Sequence, residues 1–595
     1  MRRCAVVAGW AAGLLACALA PALAPAAAQS PVAPKVLTVA RTAQFDSLDP
    51  VRQNDAVSFE LVAMVYSSLL KYHYLARPYR LEPDLLETLP ALSADGLSYS
   101  FTLRRGVRFH DDDCFAGGQG RELTADDVLY SLKRFADARL NTKSWFAIEG
   151  MVVGLDEFRA ATKATGPAAG DSARDIAGFK KIDSHHFTMR LKFRNPLFLT
   201  ALSYASAAIV PVEAVRRYGD AFASHPVGTG PFTLKTVDRK GVLRFEKYAR
   251  YHGVYPASGA AGDTEHGLLE SAGRRLPLVD VVEMPLIEEN QPAMLKFLRG
   301  ELDRVGLDRA NFAKMVARQA DGSFRVVEAY ASRFDFYATP GQDMSYLGFN
   351  MRDPLLGANK ALRQALAHLV DTRGEIDLLL NGRGHKLQSI VSIAVPGSER
   401  DTGAQFREFD PAAARRLLAE AGFPGGRGLA PISVSYPSAS TETRNAFDFL
   451  KARFAAAGVQ LKAVYADNAT FVKNAAGGNF QMLAYGWLGD PDAADFYQQL
   501  ITSSIGTGSN LTGFSNPSYD AAYAASHYLP NGPQRYAYFK TMNEILRDEV
   551  PMIFTANTVR TGLTQKWLLN HKRNQLTPEY AYLDVDMALK AKGLR

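Results

Sequence analysis

Between residues 97 and 110 apolar and polar side chains alternate, with Tyr99, Phe101 and Leu103 on one side and Ser98, Ser100 and Thr102 on the other. A period of two is the mark of a half-buried strand. Arg105-Gly106 offers a turn, and Val107 and Phe109 resume the apolar face, so the stretch predicts a hairpin. Thr124 then stands three residues before Asp127, the spacing of a capping box, and Val128, Leu132 and Phe135 follow on one helical face. Phe232, Leu234 and Thr236 alternate with Thr233 and Lys235, and beyond the Lys240-Gly241 turn Leu243 and Phe245 repeat the pattern. A first strand is expected at Val36-Leu37-Thr38-Val39-Ala40.

The second half changes period. Leu362, Leu366, Leu369 and Val370 share a helical face, and Asp410-Pro411 opens a helix that buries Leu417, Leu418 and Ala421 and closes at Gly422. Phe447, Leu450 and Phe454 line another helix, which ends at Gly458 and passes into an alternating strand at Val459-Gln460-Leu461-Lys462-Ala463. Helices that alternate with strands predict an α/β second half. The Gly/Ala/Pro-rich stretches at 164–171 and 256–263 read as surface insertions, and no repeat of fixed period is present.

A chain of 595 residues can bury a large core and divide into two or three lobes. With 47% hydrophobic and 22% charged residues it has the balance of a soluble globular protein. The net charge of +7 is not gathered into a basic tract, so a mildly basic, solvated surface is expected and no nucleic-acid partner. Arg2-Arg3, the apolar run 4–20 and Ala26-Ala27-Ala28 before Gln29 together predict a signal peptide over 1–28. Pro21 and Pro25 argue against a continuing transmembrane helix. Leu14-Leu15-Ala16-Cys17 loosely resembles a lipobox, but Leu15 fits it poorly, so a soluble periplasmic product is favoured over lipid anchoring at Cys17. Cleavage after Ala28 leaves Cys114 alone, which excludes an intrachain disulfide and a cysteine-rich metal site.

Chemistry is mostly missing. There is no GxSxG elbow, HExxH, CxxC or GxxxxGK[ST], and Gly228-Thr229-Gly230 lacks the third glycine of a dinucleotide loop. Asp111-Asp112-Asp113 lacks the alternating carboxylates of a calcium loop and reads as a solvated turn. His185-His186 precedes a strand at Phe187–Leu191 and reads as a surface pair, and Gly506-Thr507-Gly508-Ser509-Asn510 as an ordinary loop. No catalytic residue, metal or cofactor is expected.

Several segments, in order, carry a resemblance. The first runs from Leu85-Leu86-Glu87 through Asp95-Gly96-Leu97-Ser98-Tyr99 and Val107-Arg108-Phe109-His110-Asp111 to Leu123-Thr124-Ala125-Asp126-Asp127-Val128. Val227-Gly228-Thr229-Gly230-Pro231-Phe232, Gly300-Glu301-Leu302-Asp303, Tyr346-Leu347-Gly348-Phe349-Asn350 and Arg363-Gln364-Ala365-Leu366 follow. Gly422-Phe423-Pro424, Gly486-Trp487-Leu488-Gly489-Asp490-Pro491 and Asn516-Pro517 complete the series. Over roughly 36–560 the chain resembles the family 5 extracellular solute-binding proteins, among them the dipeptide- and oligopeptide-binding proteins of ABC importers.

The resemblance implies an α/β, periplasmic-binding-protein-like fold with two lobes, three domains and an interlobe ligand cleft. Domain I would comprise 36–60, 200–340 and 550–595, domain II the inserted 61–199, and domain III 341–549. It also implies a monomeric, non-enzymatic carrier of short peptides that hands its ligand to ABC permease subunits in the inner membrane. In dipeptide-binding relatives the Asp of a Gly-Trp-x-Gly-Asp context pairs with the ligand's α-ammonium, a role that falls here on Asp490, with Trp487 and Gly489 beside it. Gly228, Thr229, Gly230, Arg363 and Asp371 read as structural. In Tyr436-Pro437-Ser438-Ala439-Ser440-Thr441-Glu442-Thr443-Arg444 no arginine falls at the place that matches the family's carboxylate-reading arginine, so either Arg444 substitutes from the helix or the ligand's carboxylate is not read this way. Oligosaccharide, opine, haem and nickel remain alternative cargoes, and a secreted hydrolase is the reading from another class.

Overall fold

The strand Ser98–Thr102 forms as its alternation predicts, with Tyr99 and Phe101 buried, but its partners are not the expected ones. It lies between Ala91–Leu92 and His186–Arg190 in an antiparallel sheet that ends on Phe179–Lys181. Both of its edges are therefore occupied, and Val107 and Phe109 bury their side chains outside the sheet while Arg108 bridges to Glu122. A period of two reports which face is buried and says nothing about which strand lies alongside. The computed structural model describes residues 33–53, 55–164, 175–195, 197–398, 408–489, 491–505 and 509–593. The expected signal peptide 1–28, with Cys17, lies outside them, as does most of the 164–171 stretch. Among the described residues no helix is long and apolar enough to cross a membrane.

The helix Ala125–Ala136 begins on the predicted capping box, with the Thr124 N–H donating to Asp127 Oδ2 at 2.9 Å, and buries Val128, Leu132 and Phe135. Phe232–Val237 and Val242–Lys247 form the predicted hairpin. It joins a four-stranded sheet through Val281–Pro285, which in turn takes the first strand, Val36–Thr38, in parallel. One apolar core runs from this sheet to the Ser98–Thr102 sheet and includes Trp567, Tyr580 and Tyr582 from the C-terminal segment. Gly228 and Gly230 pass so close to the helix Ala56–Val65 that an added Cβ would meet Val65 backbone atoms at 2.2 and 2.5 Å. Both glycines are structural, as expected.

In the Asp111-Asp112-Asp113 run, Asp111 and Asp113 are exposed as expected of a solvated turn, and Asp112 departs from it. Asp112 accepts from Tyr218 Oη at 2.6 Å and contacts His225 Nε2 at 2.8 Å, while Asp111 pairs with Arg250. Cys114 is the free cysteine among the described residues; burial, then the adjacent Asp112 carboxylate, pushes its thiol up to about 12, which leaves it un-ionised and inert at neutral pH.

The second half is built on a five-stranded mixed sheet in the order 461–465, 432–436, 482–488, 343–349, 552–554. Its strands send alternate side chains into two cores. Met344, Tyr346, Met552 and Phe554 pack beneath the helices Pro517–His527 and Pro533–Glu549. Leu347, Phe349 and Ile553 pack on the other face against Lys360–Ala367, Pro411–Glu420 and Thr441–Ala455. Asp410 caps the second of these helices as predicted, and the strand expected from Val459 spans Leu461–Tyr465. Arg363, 1% exposed, donates to the Glu549, Leu356 and Gly357 carbonyls, and Asp371 caps a helix and pairs with Arg453 at 3.0 Å. Both are structural in role.

Two chain segments connect this sheet to a third one. Phe334–Pro340 runs into Asp343–Phe349, and Met552–Phe554 runs into Ala556–Gln565, which pairs with Phe334–Pro340, Arg304–Gly306 and Gly384–Lys386. The fully buried Asn557 ties the passages together by donating Nδ2 to the Gly341 and Asp343 carbonyls, each at 2.7 Å.

Candidate functional site

Where elements of the first core meet the end of the Met482–Leu488 strand, the protein forms a half-open cavity of about 470 Å3. That volume lies in the range of small-molecule sites. One wall is the start of the helix Ala56–Val65. Asp55 caps it by accepting from the Ser58 N–H at 2.8 Å, which turns Phe59 and Glu60 to the cavity. A second wall brings Lys143 and Ser144 beside Tyr204–Ser206, where Ser206 Oγ is shared by Ser144 Oγ at 2.9 Å and Gln53 Nε2 at 3.0 Å. Leu488, Gly489 and Pro491 face them from the second half, with Gln342 at one crossing segment and Arg560 on the other.

The floor is the irregular stretch 573–580, which has no regular secondary structure to fix it and relies on side chains instead. Asn574 Oδ1 accepts from the Leu576 and Thr577 N–H groups, and Thr577 Oγ1 donates to the Tyr72 carbonyl at 2.9 Å. Gln575 Nε2 donates to the Pro340 carbonyl at 2.6 Å, fastening the floor to the first crossing segment. Charges here are matched. Arg573 lies 3.0 Å from Glu579 and 3.6 Å from Glu60, Tyr580 Oη donates to Glu60 at 2.8 Å, and buried Arg304 pairs with buried Glu579. His571 packs against Tyr337 with ring centroids 4.6 Å apart and the planes tilted by 56°; burial, then the nearby Arg304 and Arg573 cations, holds its pKa well below the imidazole range and keeps it neutral.

The three residues singled out in the sequence fare differently. Gly489 lines the cavity, and its N–H donates to the Gln342 carbonyl at 3.3 Å. Asp490 lies outside the described residues, between two residues that both line the cavity. Trp487 packs against the second-half core and donates Nε1–H to Asp495 Oδ2 at 2.9 Å, so the side chain presented to the cavity is Leu488, 68% exposed. Arg444 is exposed on its own helix, donates to the Ala439 carbonyl at 3.0 Å and is not a lining residue. His185 contacts Glu122 at 3.2 Å and His186 contacts Asp183 at 2.8 Å, away from the cavity, and 506–508 lie outside the described residues. No group of three or more His, Cys, Asp or Glu able to hold a metal occurs among the described residues.

Gly489 has a steric reason to be glycine. A Cβ there would fall 2.3–2.8 Å from three carbons of the buried Phe496 ring. Gly489→Ala is expected to overpack this corner at a cost of about 1–3 kcal/mol. It should also displace Pro491 from the cavity wall and weaken ligand binding. Urea denaturation and calorimetric titration check the two effects separately, and unchanged values in both would remove the steric argument.

A second cavity of about 210 Å3 adjoins the first through Tyr204 and is walled by Phe146, Phe193, Asp492, Asp495 and Tyr528. Phe193 and Tyr528 meet across it with ring centroids 4.8 Å apart.

Residues 80–509 match the family model described as bacterial extracellular solute-binding proteins, family 5 Middle. The chain is 24% identical over 498 residues to the dipeptide-binding protein of Escherichia coli (strain K12), covering 79% of this chain and 81% of that protein. It is 25% identical over 492 residues to heme-binding protein A of Haemophilus influenzae, covering 80% and 79%. Among solved structures, HbpA2 from Haemophilus parasuis superposes with a TM-score of 0.72 at 21% identity, covering 93% of this chain and 100% of that one.

Proposed function

Given that the chain belongs to the bacterial extracellular solute-binding proteins of family 5, we propose that it is the periplasmic substrate-binding component of an ABC importer, capturing short peptides between two closing lobes. As in that family, its task is to bind a solute rather than to convert one. The observation that carries the peptide reading is the 470 Å3 cavity, whose walls come from separate cores and offer carboxylates, guanidinium groups and amides together. A zwitterionic backbone needs both signs of charge once water is excluded. Asp490, flanked by the lining residues Gly489 and Pro491, meets the α-ammonium in this reading. The described lining includes no imidazole or thiol, which favours peptide over nickel as cargo.

Domain I then comprises 36–60, 200–340 and 550–595, domain II 61–199 and domain III 341–549, with the crossings at 340–343 and 554–556 as the hinge. Closure brings Leu488 and Pro491 toward Phe59 and Tyr580, and the closed form docks on the permease. Export through a cleaved leader over 1–28 belongs to the same proposal.

A thermal-shift series on the refolded, ligand-free mature protein tests it, with di-, tri- and longer peptides, free amino acids, sugars, haem and nickel as probes. A ligand at about 100 times its dissociation constant stabilises the protein by roughly 2.7 kcal/mol. Peptides are expected to give such a shift, and N-acetylation or Asp490→Asn to abolish it. A shift from haem, nickel or sugar with none from any peptide would retain the carrier and remove the peptide.

A further inference from the structure

We infer that the cleft selects acidic peptides, those with a side-chain carboxylate in addition to the C-terminal one, and that Arg560 and Lys143 read the two carboxylates. The inference rests on the peptide reading above and adds a charge preference to it.

The charges lining the cavity, taken in turn, lead there. Asp55 is occupied as a helix cap, accepting from the Ser58 N–H and Oγ and from the Asp46 N–H. Glu60, Arg573 and Glu579 form one neutralised network with Arg304 behind them. Arg560 and Lys143 remain. Arg560 is the sole charged residue of the ten-residue strand Ala556–Gln565, opposite Thr339 in register. Lys143 opens the turn Lys143–Ala147 on the other wall. Both are exposed, and among the described residues neither side chain has a hydrogen bond, ion pair or ring contact.

A cation that loses water on closure without gaining a partner opposes closure, whereas one that meets a carboxylate gains a charge-assisted hydrogen bond. Two such cations call for two anions. With the α-ammonium met by Asp490, a ligand that satisfies every group carries one positive and two negative charges. The flat guanidinium suits a bidentate carboxylate, and the ammonium suits a carboxylate that approaches as a point charge. Arg444, in the first turn of the Thr441–Ala455 helix and outside the cavity lining, is then not needed to read a carboxylate.

Calorimetric titration of the mature protein with Ala-Glu, Ala-Gln and Ala-Lys gives the test, with Arg560→Gln and Lys143→Gln in parallel. The expected result is that Ala-Glu binds about tenfold or more tighter than Ala-Gln, the worth of one hydrogen bond to a charged group. Ala-Lys should bind weaker still, and added salt should narrow the spread. One variant should lower the Ala-Glu to Ala-Gln ratio below about threefold, and the other should weaken all three peptides alike. Both substitutions are at exposed positions, so unchanged melting temperatures of the free variants show that the fold is kept. Equal binding of Ala-Glu and Ala-Gln overturns this inference and leaves the peptide reading standing. No binding by any of the three, with a response to a non-peptide probe, overturns both.

Discussion

Replacing Arg535 with alanine is expected to cost about 3–5 kcal/mol of folding free energy, the range for breaking one side of a buried ion pair. The guanidinium is 1% exposed on the helix Pro533–Glu549 and meets Asp492 as a fork, with both Nη–Oδ distances 2.7 Å. It also donates to the Ser526 carbonyl at 3.1 Å and to Asn531 Oδ1 at 2.9 Å. Truncation therefore strands a carboxylate, a carbonyl and an amide together and opens a void beside Phe539. Asp492 caps the helix Ala493–Tyr497 and walls the second cavity, so the damage should spread to the Phe193–Tyr528 contact. Urea denaturation of the single variants and of Arg535→Met with Asp492→Asn measures the coupling. The pair of changes should cost less than the sum of the singles. A loss below about 1 kcal/mol for Arg535→Ala would contradict the buried-pair account.

Asp84→Asn should have an effect of the same order, and it carries a pH signature. Asp84 is 5% exposed and lies 3.4 Å from Lys71 Nζ and 3.1 Å from His252 Nε2, behind the cavity wall. Burial alone pushes its carboxyl up, but Lys71 and His252 outweigh burial and hold it well below the usual carboxylate range. A carboxyl with a depressed native pKa contributes stability that is present above its unfolded value, about 3.9, and is lost as pH falls through the native value. The wild-type protein should therefore keep this contribution at pH 5 and lose it only in stronger acid. The variant leaves Lys71 without its carboxylate partner and should be weaker by about 3–5 kcal/mol at neutral pH. Its acid unfolding should lack the step that the wild type shows below about pH 4. Urea midpoints taken from pH 7 to pH 2 distinguish the two profiles, and parallel curves would exclude Asp84 as their source.

The parts of the fold legible in the sequence were those decided locally. Thr124 and Asp127 satisfy each other's backbone within one turn, and the Phe232–Lys247 hairpin closes over a handful of residues. The pairing of Ser98–Thr102 is not legible locally, because its partner, His186–Arg190, lies far along the chain and nothing nearby distinguishes it from Val107–Phe109. The site suffered in the same way. Gly489 and the neighbourhood of Asp490 were reached through a motif, but the floor at 573–580 has no period to read, since its geometry comes from Asn574, Gln575 and Thr577 reaching distant carbonyls. Arg560 did leave a signal. A single charge within the otherwise uncharged stretch Ala556–Gln565 marks a position where the strand meets something other than core.

The first strand, Val36–Thr38, takes its partner from 281–283, while Lys35 pairs with Asp584 and the Thr38 N–H donates to Asp303, which also holds Trp567 and Lys590. During synthesis the opening segment thus has its strand partner and Asp303 by the middle of the chain, but waits for nearly the whole polypeptide before Asp584, Trp567 and Lys590 arrive. A nascent chain halted near 550 would lack Asp584 for Lys35 and both Trp567 and Lys590 for Asp303, so the ties that fasten the first strand to the C-terminal segment would be missing. Completion of the contacts that hold the first strand is for that reason a late event, governed by long-range loop closure more than by local propensity.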